Sequence, residues 1–362
     1  MTDKKSALFV QPGVQSIHDG MQETKRKKFV KKTKIKQNLD ELAEKIREGS
    51  RLHLAKAITL LESAHPEDQS DAQDLLKKML PYTGDSIRIG ITGVPGAGKS
   101  TFIEAFGKML CERGHRVAVL AIDPSSTVNG GSILGDKTRM EQLSREPNAF
   151  IRPSPSAGTL GGVHKKTRET MLLCEAAGYD IVLIETMGVG QSETIVRGMV
   201  DFFLLLVLTG AGDELQGMKK GIMELADTII VHKADGDNLR PAQRTMSEYK
   251  RIQHFLQSAT PGWDTRTHLV SSLENKGLSR IQETIEEFRE TCMKTGFWSS
   301  RRTKQTTEWF QAMIRDRLID TFYANNDTKQ RVSQFEKQIT EGQMTVSQAV
   351  DLLFSDEKTE LI

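Results

Sequence analysis

The sequence predicts an α/β fold in which a doubly wound, mostly parallel sheet carries helical extensions at both ends. From Ile87 onward, short apolar runs alternate with stretches of helical periodicity, the pattern of buried parallel strands joined by helices. Before this region, and again after Leu278, apolar residues recur at helical spacing among charged residues. We therefore expect a central sheet domain between two helical regions.

The N-terminal part of the chain divides into a basic arm and a group of helices. Between Lys25 and Lys36 the chain has eight basic residues, whose mutual repulsion opposes compact folding. We therefore predict a solvated arm at residues 1–37. A helical region is predicted for residues 38–84, because its apolar residues recur three and four positions apart.

Seven apolar runs are predicted to be the strands of the sheet. The runs are IRIGIT, RVAVLAID, AFIRP, YDIVLIET, DFFLLLVL, DTIIVHK and THLVSS. They define a sheet domain at residues 85–278, which is followed by a predicted C-terminal helical region at residues 279–362. Ligands of such sheets bind at the carboxyl ends of the strands, so the residues that follow each run are the functional candidates.

The composition is that of a globular protein without a strong net charge. The 362 residues are 37% hydrophobic and 27% charged, which disfavours disorder, and a net charge of +2 creates no strong field toward nucleic acid or an anionic membrane. Three widely spaced cysteines disfavour a disulfide framework. Because neither a signal peptide nor a transmembrane run is apparent, we expect a cytoplasmic protein with no nucleic-acid or membrane partner.

The strongest motif is GVPGAGKST, which satisfies G-x-x-x-x-G-K-[ST], follows the run IRIGIT and opens a helical pattern. In this context, backbone N–H groups at a helix N-terminus converge on phosphate oxygens, a lysine reaches the terminal phosphates and a hydroxyl binds Mg²⁺. The predicted nucleotide contacts are Gly93, Val94, Pro95, Gly96, Ala97, Gly98, Lys99, Ser100 and Thr101. A nucleotide phosphate site is therefore expected after the first strand.

Acidic residues also follow the strands at this edge. Asp123 ends RVAVLAID and Glu185 ends YDIVLIE, while Asp136 lies in a segment rich in Gly and Ser. Because Mg²⁺ prefers oxygen ligands, we predict that Ser100, Asp123, Asp136 and Glu185 form its site. The loop after Glu185 contains Gly188 and Gly190, which would permit it to respond to a γ-phosphate.

The segment HKADGD follows the sixth run and is predicted to contact the nucleotide base. The carboxylate of Asp235 is able to accept hydrogen bonds from the ring N1–H and the exocyclic amine of guanine, which lie side by side. The aliphatic stem of Lys233 would cover the face of the base. These two residues favour guanine over adenine.

Together these motifs resemble the MeaB-type G proteins, also called ArgK or LAO/AO transport ATPases, of the SIMIBI class of P-loop GTPases. The resemblance covers most of the chain and rests on GVPGAGKST, AIDPSS, GGSILGDKTRM, ETMGVGQSE, GAGDELQGMKKGI and HKADGD. It implies a homodimeric GTPase that binds GTP, GDP and Mg²⁺. It also implies a chaperone that gates adenosylcobalamin delivery to an adenosylcobalamin-dependent acyl-CoA mutase, of the methylmalonyl-CoA mutase type, and protects or reactivates that enzyme.

The resemblance assigns roles to segments of this chain. It places the first switch at Asp123–Arg139, the second at Glu185–Glu193 and a third, directed at the mutase, at Ala211–Lys220, with Gln216 and Lys219 as partner contacts. Lys99, Glu185 and Asp136 are the expected catalytic residues. The expected base contacts are His232, Lys233, Asp235, Ser271, Ser272 and Leu273, and the C-terminal helices are expected to support the dimer.

One residue departs from the family pattern, because the base-contacting motif normally begins with Asn and here begins with His232. An Asn amide both donates and accepts, whereas a neutral imidazole does one at each nitrogen, so weaker guanine binding is expected. Two alternatives remain open at this stage: an ATP-dependent kinase or ATPase linked to amino-acid transport, and a maturation GTPase of another metalloenzyme. An ABC-type LSGGQ-like signature and a His- or Cys-rich metal-holding segment are both lacking in the sequence.

Overall fold

A computed structural model describes residues 38–123, 140–155, 160–186, 192–210 and 220–355. Within these residues lies a seven-stranded sheet, and every neighbouring pair of its strands is parallel. The strands are β1 Ile87–Gly93, β2 Val117–Asp123, β3 Ala149–Pro155, β4 Ile181–Glu185, β5 Phe202–Val207, β6 Thr228–Val231 and β7 Arg266–Leu269. The predicted α/β fold is confirmed, and all seven apolar runs contain a strand.

The order of the strands across the sheet is β3-β2-β4-β1-β5-β6-β7. Strand β1 therefore lies in the centre, between β4 and β5. The chain leaves β1 toward one side of the sheet and returns after β4 to build the other side. Such a reversal opens a crevice at the carboxyl ends of the central strands, where ligands of open α/β sheets bind.

Helices cover both faces of the sheet and extend beyond it at each end. In the described residues they are α1 Leu39–Arg47, α2 Arg51–Glu62, α3 Pro66–Met79, α4 Lys99–Glu112, α5 Glu141–Arg145, α6 Leu160–Ala176, α7 Ser192–Arg197, α8 Lys220–Met223, α9 Leu239–Gln253, α10 Leu278–Lys294, α11 Phe297–Ala324, α12 Asn326–Thr340 and α13 Val346–Ser355. None of these helices combines the length and the apolar content needed to span a bilayer.

The N-terminal helices α1, α2 and α3 pack on one face of the sheet together with α6. Leu54, Ile58 and Leu75 are fully buried there and share a core with Val182 and Phe203 of the sheet. Their helical spacing, noted in the sequence, corresponds to this buried stripe. The helical region therefore buries its apolar residues against the sheet domain.

The opposite face is covered by α4 and α10. Phe102 and Phe106 of α4 contact the same core as Phe202, and Phe288 of α10 packs edge-on against Phe202 with ring centroids 4.7 Å apart. Helix α10 begins at Leu278, at the end of the predicted sheet domain, and its apolar side is part of the core of the sheet. Helix α4 is thereby held firmly where it meets the end of β1.

The amino ends of β5 and β6 carry a buried network of charged groups. Asp227, which is fully buried, forms an ion pair of 3.0 Å with Arg197 and also accepts hydrogen bonds from the backbone N–H of Phe203 and the hydroxyl of Thr260. Arg301 of α11 lies 4.0 Å from the same carboxylate. Since nearly all lone pairs of Asp227 have donors, the buried charge is well compensated.

Asp201, which directly precedes β5, is a second buried acid at this edge of the sheet. Its carboxylate accepts two hydrogen bonds from Arg302, at 2.9 and 2.7 Å, and one from the backbone N–H of Arg88. Gln305, one turn further along α11, donates to the carbonyl of Val200 at 2.8 Å. The start of α11 is thus attached to the segment that joins α7 to β5.

Beyond this attachment, the C-terminal helices bury few side chains. Helix α11 is 28 residues long and has only Gln305 buried, while α12 and α13 have only Thr328 and Ala349. Large apolar side chains of α11 and α13 are instead exposed, namely Phe310, Ile314, Leu318, Ile319, Tyr323, Val346, Val350, Leu352 and Phe354. Contiguous apolar surface of this kind marks an interaction site.

Candidate nucleotide site

The phosphate loop connects β1, which ends at Gly93, to α4, which begins at Lys99. Gly93 has φ of 153°, and a Cβ atom there would lie 2.4 Å from the carbonyl oxygen of Leu206. Gly98 has φ of 86°, and a Cβ atom there would lie 2.7 Å from Nδ1 of His232. Glycine is therefore required at both positions by close approach as well as by conformation.

Lys99 turns its ammonium group back onto this loop. The Nζ atom donates to the carbonyl of Gly93 at 2.7 Å and to that of Val94 at 3.3 Å. The residue is 8% exposed, and burial lowers the pKa of its ammonium group, against the opposing effect of Glu185 and Glu193. A phosphate anion at this loop would stabilise the charged ammonium, so the site favours an anionic ligand.

Ser100 and Glu185 lie together at the carboxyl edge of the sheet. The Ser100 hydroxyl donates to Oε1 of Glu185 at 3.0 Å. Beside them, the Thr186 hydroxyl donates to that of Thr92 at 2.9 Å, which joins the ends of β4 and β1. A hydroxyl and a carboxylate are hard oxygen ligands of the kind that Mg²⁺ takes, so this pair fits the predicted cation.

Several predicted residues fall outside the part of the chain that the structure describes. Asp136, Gln216 and Lys219 lie outside the described residues, and so does the side chain of Asp123, although its backbone ends β2. Among the described residues, no group of three or more His, Cys, Asp or Glu side chains is arranged to hold a metal ion. The roles predicted for these four residues therefore remain predictions.

His232 connects the phosphate loop to the base side of the site. It is 2% exposed, its Nδ1 lies 2.7 Å from the carbonyl oxygen of Ala97, and its Nε2 lies 2.7 Å from the hydroxyl of Ser272. Its ring also packs edge-on against Phe102 of α4. Burial lowers the pKa of this imidazole, so the neutral ring is favoured.

Asp235 is held by the loop that follows β7. The hydroxyl of Ser271 donates to its Oδ2 at 2.6 Å, and the backbone N–H of Ala234 donates to the carbonyl of Val270. The structure thus brings together the two segments that the sequence assigned to the base, although they are separated by 36 residues. A carboxylate accepts about four hydrogen bonds, so acceptor capacity is left for a ligand.

The backbone at Lys233 has an unusual conformation, with φ of 56°. Asn238 supports it by donating from Nδ2 to the Lys233 carbonyl at 2.6 Å, and the Thr209 hydroxyl donates to Oδ1 of Asn238 at 2.6 Å. Neither Asn238 nor Thr209 was predicted from the sequence. An Asn in a polar turn commonly hydrogen-bonds nearby backbone, and that signal would have indicated the first of them.

A groove of about 390 Å³ lies beside these base-side segments. It is bordered by Thr101 and Glu104 on α4 and by Ser272 and Leu273 of the loop after β7. Leu273 is 78% exposed, although it is a large apolar residue. An exposed Leu at the mouth of a groove is suited to cover a flat aromatic ligand such as a nucleobase.

Comparison with known proteins identifies relatives along most of the chain. The profile of the family described as methylmalonyl Co-A mutase-associated GTPase MeaB matches residues 54–327. A Caulobacter vibrioides protein named putative GTPase is 52% identical over 318 residues, which are 88% of this chain and 97% of that protein. GTPase ArgK of Escherichia coli is 48% identical over 289 residues, which are 80% of this chain and 87% of that protein.

A mitochondrial relative and a solved structure extend this comparison. The methylmalonic aciduria type A homolog of Mus musculus is 41% identical over 359 residues, which are 96% of this chain and 84% of the mouse protein. The crystal structure of a LAO/AO transport system kinase aligns with a TM-score of 0.72 and 38% identity, covering 87% of this chain and 96% of that one.

Proposed function

Because the chain belongs to the MeaB family of methylmalonyl-CoA mutase-associated GTPases, we propose that it binds GTP with Mg²⁺ and hydrolyses it to GDP and phosphate. We further propose that this cycle gates adenosylcobalamin delivery to an adenosylcobalamin-dependent acyl-CoA mutase of the methylmalonyl-CoA type, and protects or reactivates that enzyme. One observation carries the nucleotide proposal: His232 joins the phosphate loop directly to the segments that contain Asp235 and Ser272.

The phosphate half of the site supports binding and charge stabilisation. Lys99, whose ammonium now contacts the carbonyls of Gly93 and Val94, would exchange these partners for phosphate oxygens. The backbone N–H groups at the start of α4 would add further donors, since the first turn of a helix leaves them unpaired. Phosphoryl transfer to water depends mainly on such positioning and charge neutralisation.

Ser100 and Glu185 are the described residues that would hold Mg²⁺. The bound ion supplies charge neutralisation for the phosphates. Glu185 is half-buried at the end of β4, and the predicted second switch, Glu185–Glu193, begins with it. A loop in this position would be sensitive to the γ-phosphate, which is the only difference between GTP and GDP.

The nucleotide proposal is tested by calorimetric titration of the full chain with GDP, a non-hydrolysable GTP analogue and the corresponding ATP analogue, each with Mg²⁺. We expect guanine nucleotides to bind at least tenfold more tightly than the ATP analogue. Asp235→Ala should abolish this preference, while Asp237→Ala, an exposed acid two residues away, should retain it. Equal or tighter binding of the ATP analogue would contradict the proposal and favour an ATPase.

The mutase proposal requires a nucleotide-dependent interaction. We expect the chain to bind a purified adenosylcobalamin-dependent acyl-CoA mutase with an affinity that differs between GDP and the GTP analogue, and the mutase to accelerate GTP hydrolysis. Gln216→Ala and Lys219→Ala should weaken the complex without changing nucleotide affinity, because both lie in the predicted partner-contacting segment. An affinity that is the same with either nucleotide would contradict the gating role.

We also propose that the C-terminal helices form a homodimer. Phe310, Ile314 and Leu318 are four residues apart on α11 and are 66%, 43% and 56% exposed, so they form one apolar stripe. A second copy would bury this stripe against its own. We expect Ile314→Glu combined with Leu318→Glu to give a monomer in light scattering, whereas Arg315→Glu combined with Arg317→Glu should remain dimeric.

A further inference from the structure

The two hydrogen-bond partners of His232 determine which of its ring nitrogens carries a hydrogen. The Ala97 carbonyl oxygen, 2.7 Å from Nδ1, has no hydrogen to give, so Nδ1 carries the N–H and donates it. Burial lowers the pKa of this imidazole and so favours the neutral ring, in which Nε2 has no hydrogen and accepts the hydroxyl of Ser272 at 2.7 Å. His232 therefore has one N–H group, which it donates to the Ala97 carbonyl of the phosphate loop.

The hydroxyl hydrogens of Ser271 and Ser272 are also donated to acceptors within the protein. Ser272 donates its only hydroxyl hydrogen to Nε2 of His232, and Ser271 donates its own to Oδ2 of Asp235 at 2.6 Å. Both serines are buried, at 8% and 1% exposure. The side-chain hydrogens of these three residues consequently point at protein acceptors, and none of the three has one left for a base.

Guanine presents different chemistry at its two ends. N1–H and the 2-amino group are donors on the six-membered ring, whereas N7 is an acceptor on the five-membered ring, close to the bond that joins the base to the sugar and phosphates. With the phosphates at the loop and the donor end at Asp235, the five-membered ring lies between them. His232 lies in the region between the phosphate loop and Asp235, because it hydrogen-bonds both Ala97 of the loop and Ser272.

An Asn at position 232 would behave differently, because its amide nitrogen has two hydrogens. One of them would serve the Ala97 carbonyl, and the second would remain for an acceptor on the base. Resting on the guanine-nucleotide binding proposed above, we propose that this chain recognises guanine at its donor edge alone, through Asp235, and that residue 232 gives N7 no hydrogen bond. His232 is thus a specificity-determining residue that holds the loop but tolerates a base without N7.

The test compares three diphosphates on the unmodified protein by calorimetry, so that hydrolysis plays no part. We expect 7-deaza-GDP, in which a C–H replaces N7, to bind within about twofold of GDP. IDP, which has no 2-amino group, should bind roughly 2- to 10-fold more weakly, the effect of one hydrogen bond. A loss of more than about twofold with 7-deaza-GDP, or no loss with IDP, would overturn the proposal.

His232→Asn supplies the reciprocal measurement. In this variant GDP should bind roughly 2- to 10-fold more tightly than 7-deaza-GDP, since the second amide hydrogen becomes available to N7. If the variant treats the two ligands alike, residue 232 does not face N7 and the assignment is wrong. A thermal melt establishes that the variant is folded, and the three-ligand comparison on the unmodified chain decides the proposal if it is not.

These outcomes are distinct from failure of the proposed function. If GDP binds no better than ADP, the chain is not a guanine-nucleotide protein and both proposals fall. If GDP is preferred over ADP and 7-deaza-GDP binds more than about twofold more weakly than GDP, only the present inference is overturned.

Discussion

Acidic residues occupy both ends of the strands, and their surroundings differ. At the carboxyl edge, Glu185 accepts a hydrogen bond from the neutral hydroxyl of Ser100. At the amino edge, Asp227 is fully buried and contacts Arg197, Arg301, Thr260 and a backbone N–H. The amino edge thus contains its own counter-charges, whereas the carboxyl edge places lysine and carboxylate where a phosphate and a cation would fit.

This contrast shows how an acid next to an apolar strand is to be interpreted. Asp201 and Asp227 directly precede β5 and β6, whereas Asp123 and Glu185 end β2 and β4. In a parallel sheet only the second group lies at the ligand-binding edge. Asp201 and Asp227 accordingly form structural ion pairs, whereas Asp123 and Glu185 remain the candidates for the functional site.

The largest expected effect is at the amino edge. Asp227→Asn leaves Arg197 and Arg301 buried beside a neutral amide, so we expect the free energy of unfolding to fall by about 3–5 kcal/mol. Urea unfolding measures this, with the exposed Asp320→Asn as the control. The nucleotide affinity of the folded variant should be unchanged. A loss below about 1 kcal/mol would show that the network contributes little to stability.

At the carboxyl edge, Lys99→Ala is expected to lower nucleotide affinity and to leave stability unchanged, which is the opposite of the result expected for Asp227→Asn. Removing a charged donor to phosphate should weaken binding of a GTP analogue by roughly 10- to 150-fold, as measured by calorimetry. Stability should be retained, because burial of the ammonium group disfavours its charged form. Lys77→Ala on α3, which changes an exposed lysine outside the groove, is the control. Unfolding of the Lys99 variant would contradict the inference that the carboxyl edge serves ligand binding and the amino edge serves stability.

The smallest effect is expected on the outer strand β7, where His268 lies 3.2 Å from the hydroxyl of Thr284. Burial, together with Arg280, Arg266 and Lys250, lowers the pKa of His268 to about 4, against the effect of Glu287. Below the ordinary value of 6.5, the unfolded chain binds a proton that the folded chain does not. The free energy of unfolding should therefore fall as pH drops from about 6.5 to about 4.

His268→Gln should reduce this pH dependence, which urea midpoints at several pH values would measure. Among the described residues, the other histidine with a lowered pKa is His232, so a remaining slope is expected from the carboxyl edge. His254→Gln, which changes an exposed histidine, is the control. An unchanged slope in the His268 variant would show that His268 does not contribute to the pH dependence of stability.

The fold and the phosphate loop were largely predictable from the sequence, because strand length, helical periodicity and GVPGAGKST are local patterns. The partners of His232 were not predictable. Ala97 lies 135 residues before it and Ser272 lies 40 residues after it, and no local pattern relates them. The same holds for the arginines that approach Asp227 from α7 and α11. Only the position of this acid ahead of an apolar run was visible.

The central position of β1 has a consequence for synthesis of the chain. β1 pairs with β4 and β5, and the phosphate loop contacts His232, which leaves the ribosome 135 residues after Ala97. At roughly 5–20 residues per second, this delay is on the order of 10 s. Until β4 has been synthesised, which ends 92 residues after β1 ends, the apolar strand β1 has neither of its two partner strands. The nascent protein therefore exposes its most central strand longest, and chaperones have the most time to act there.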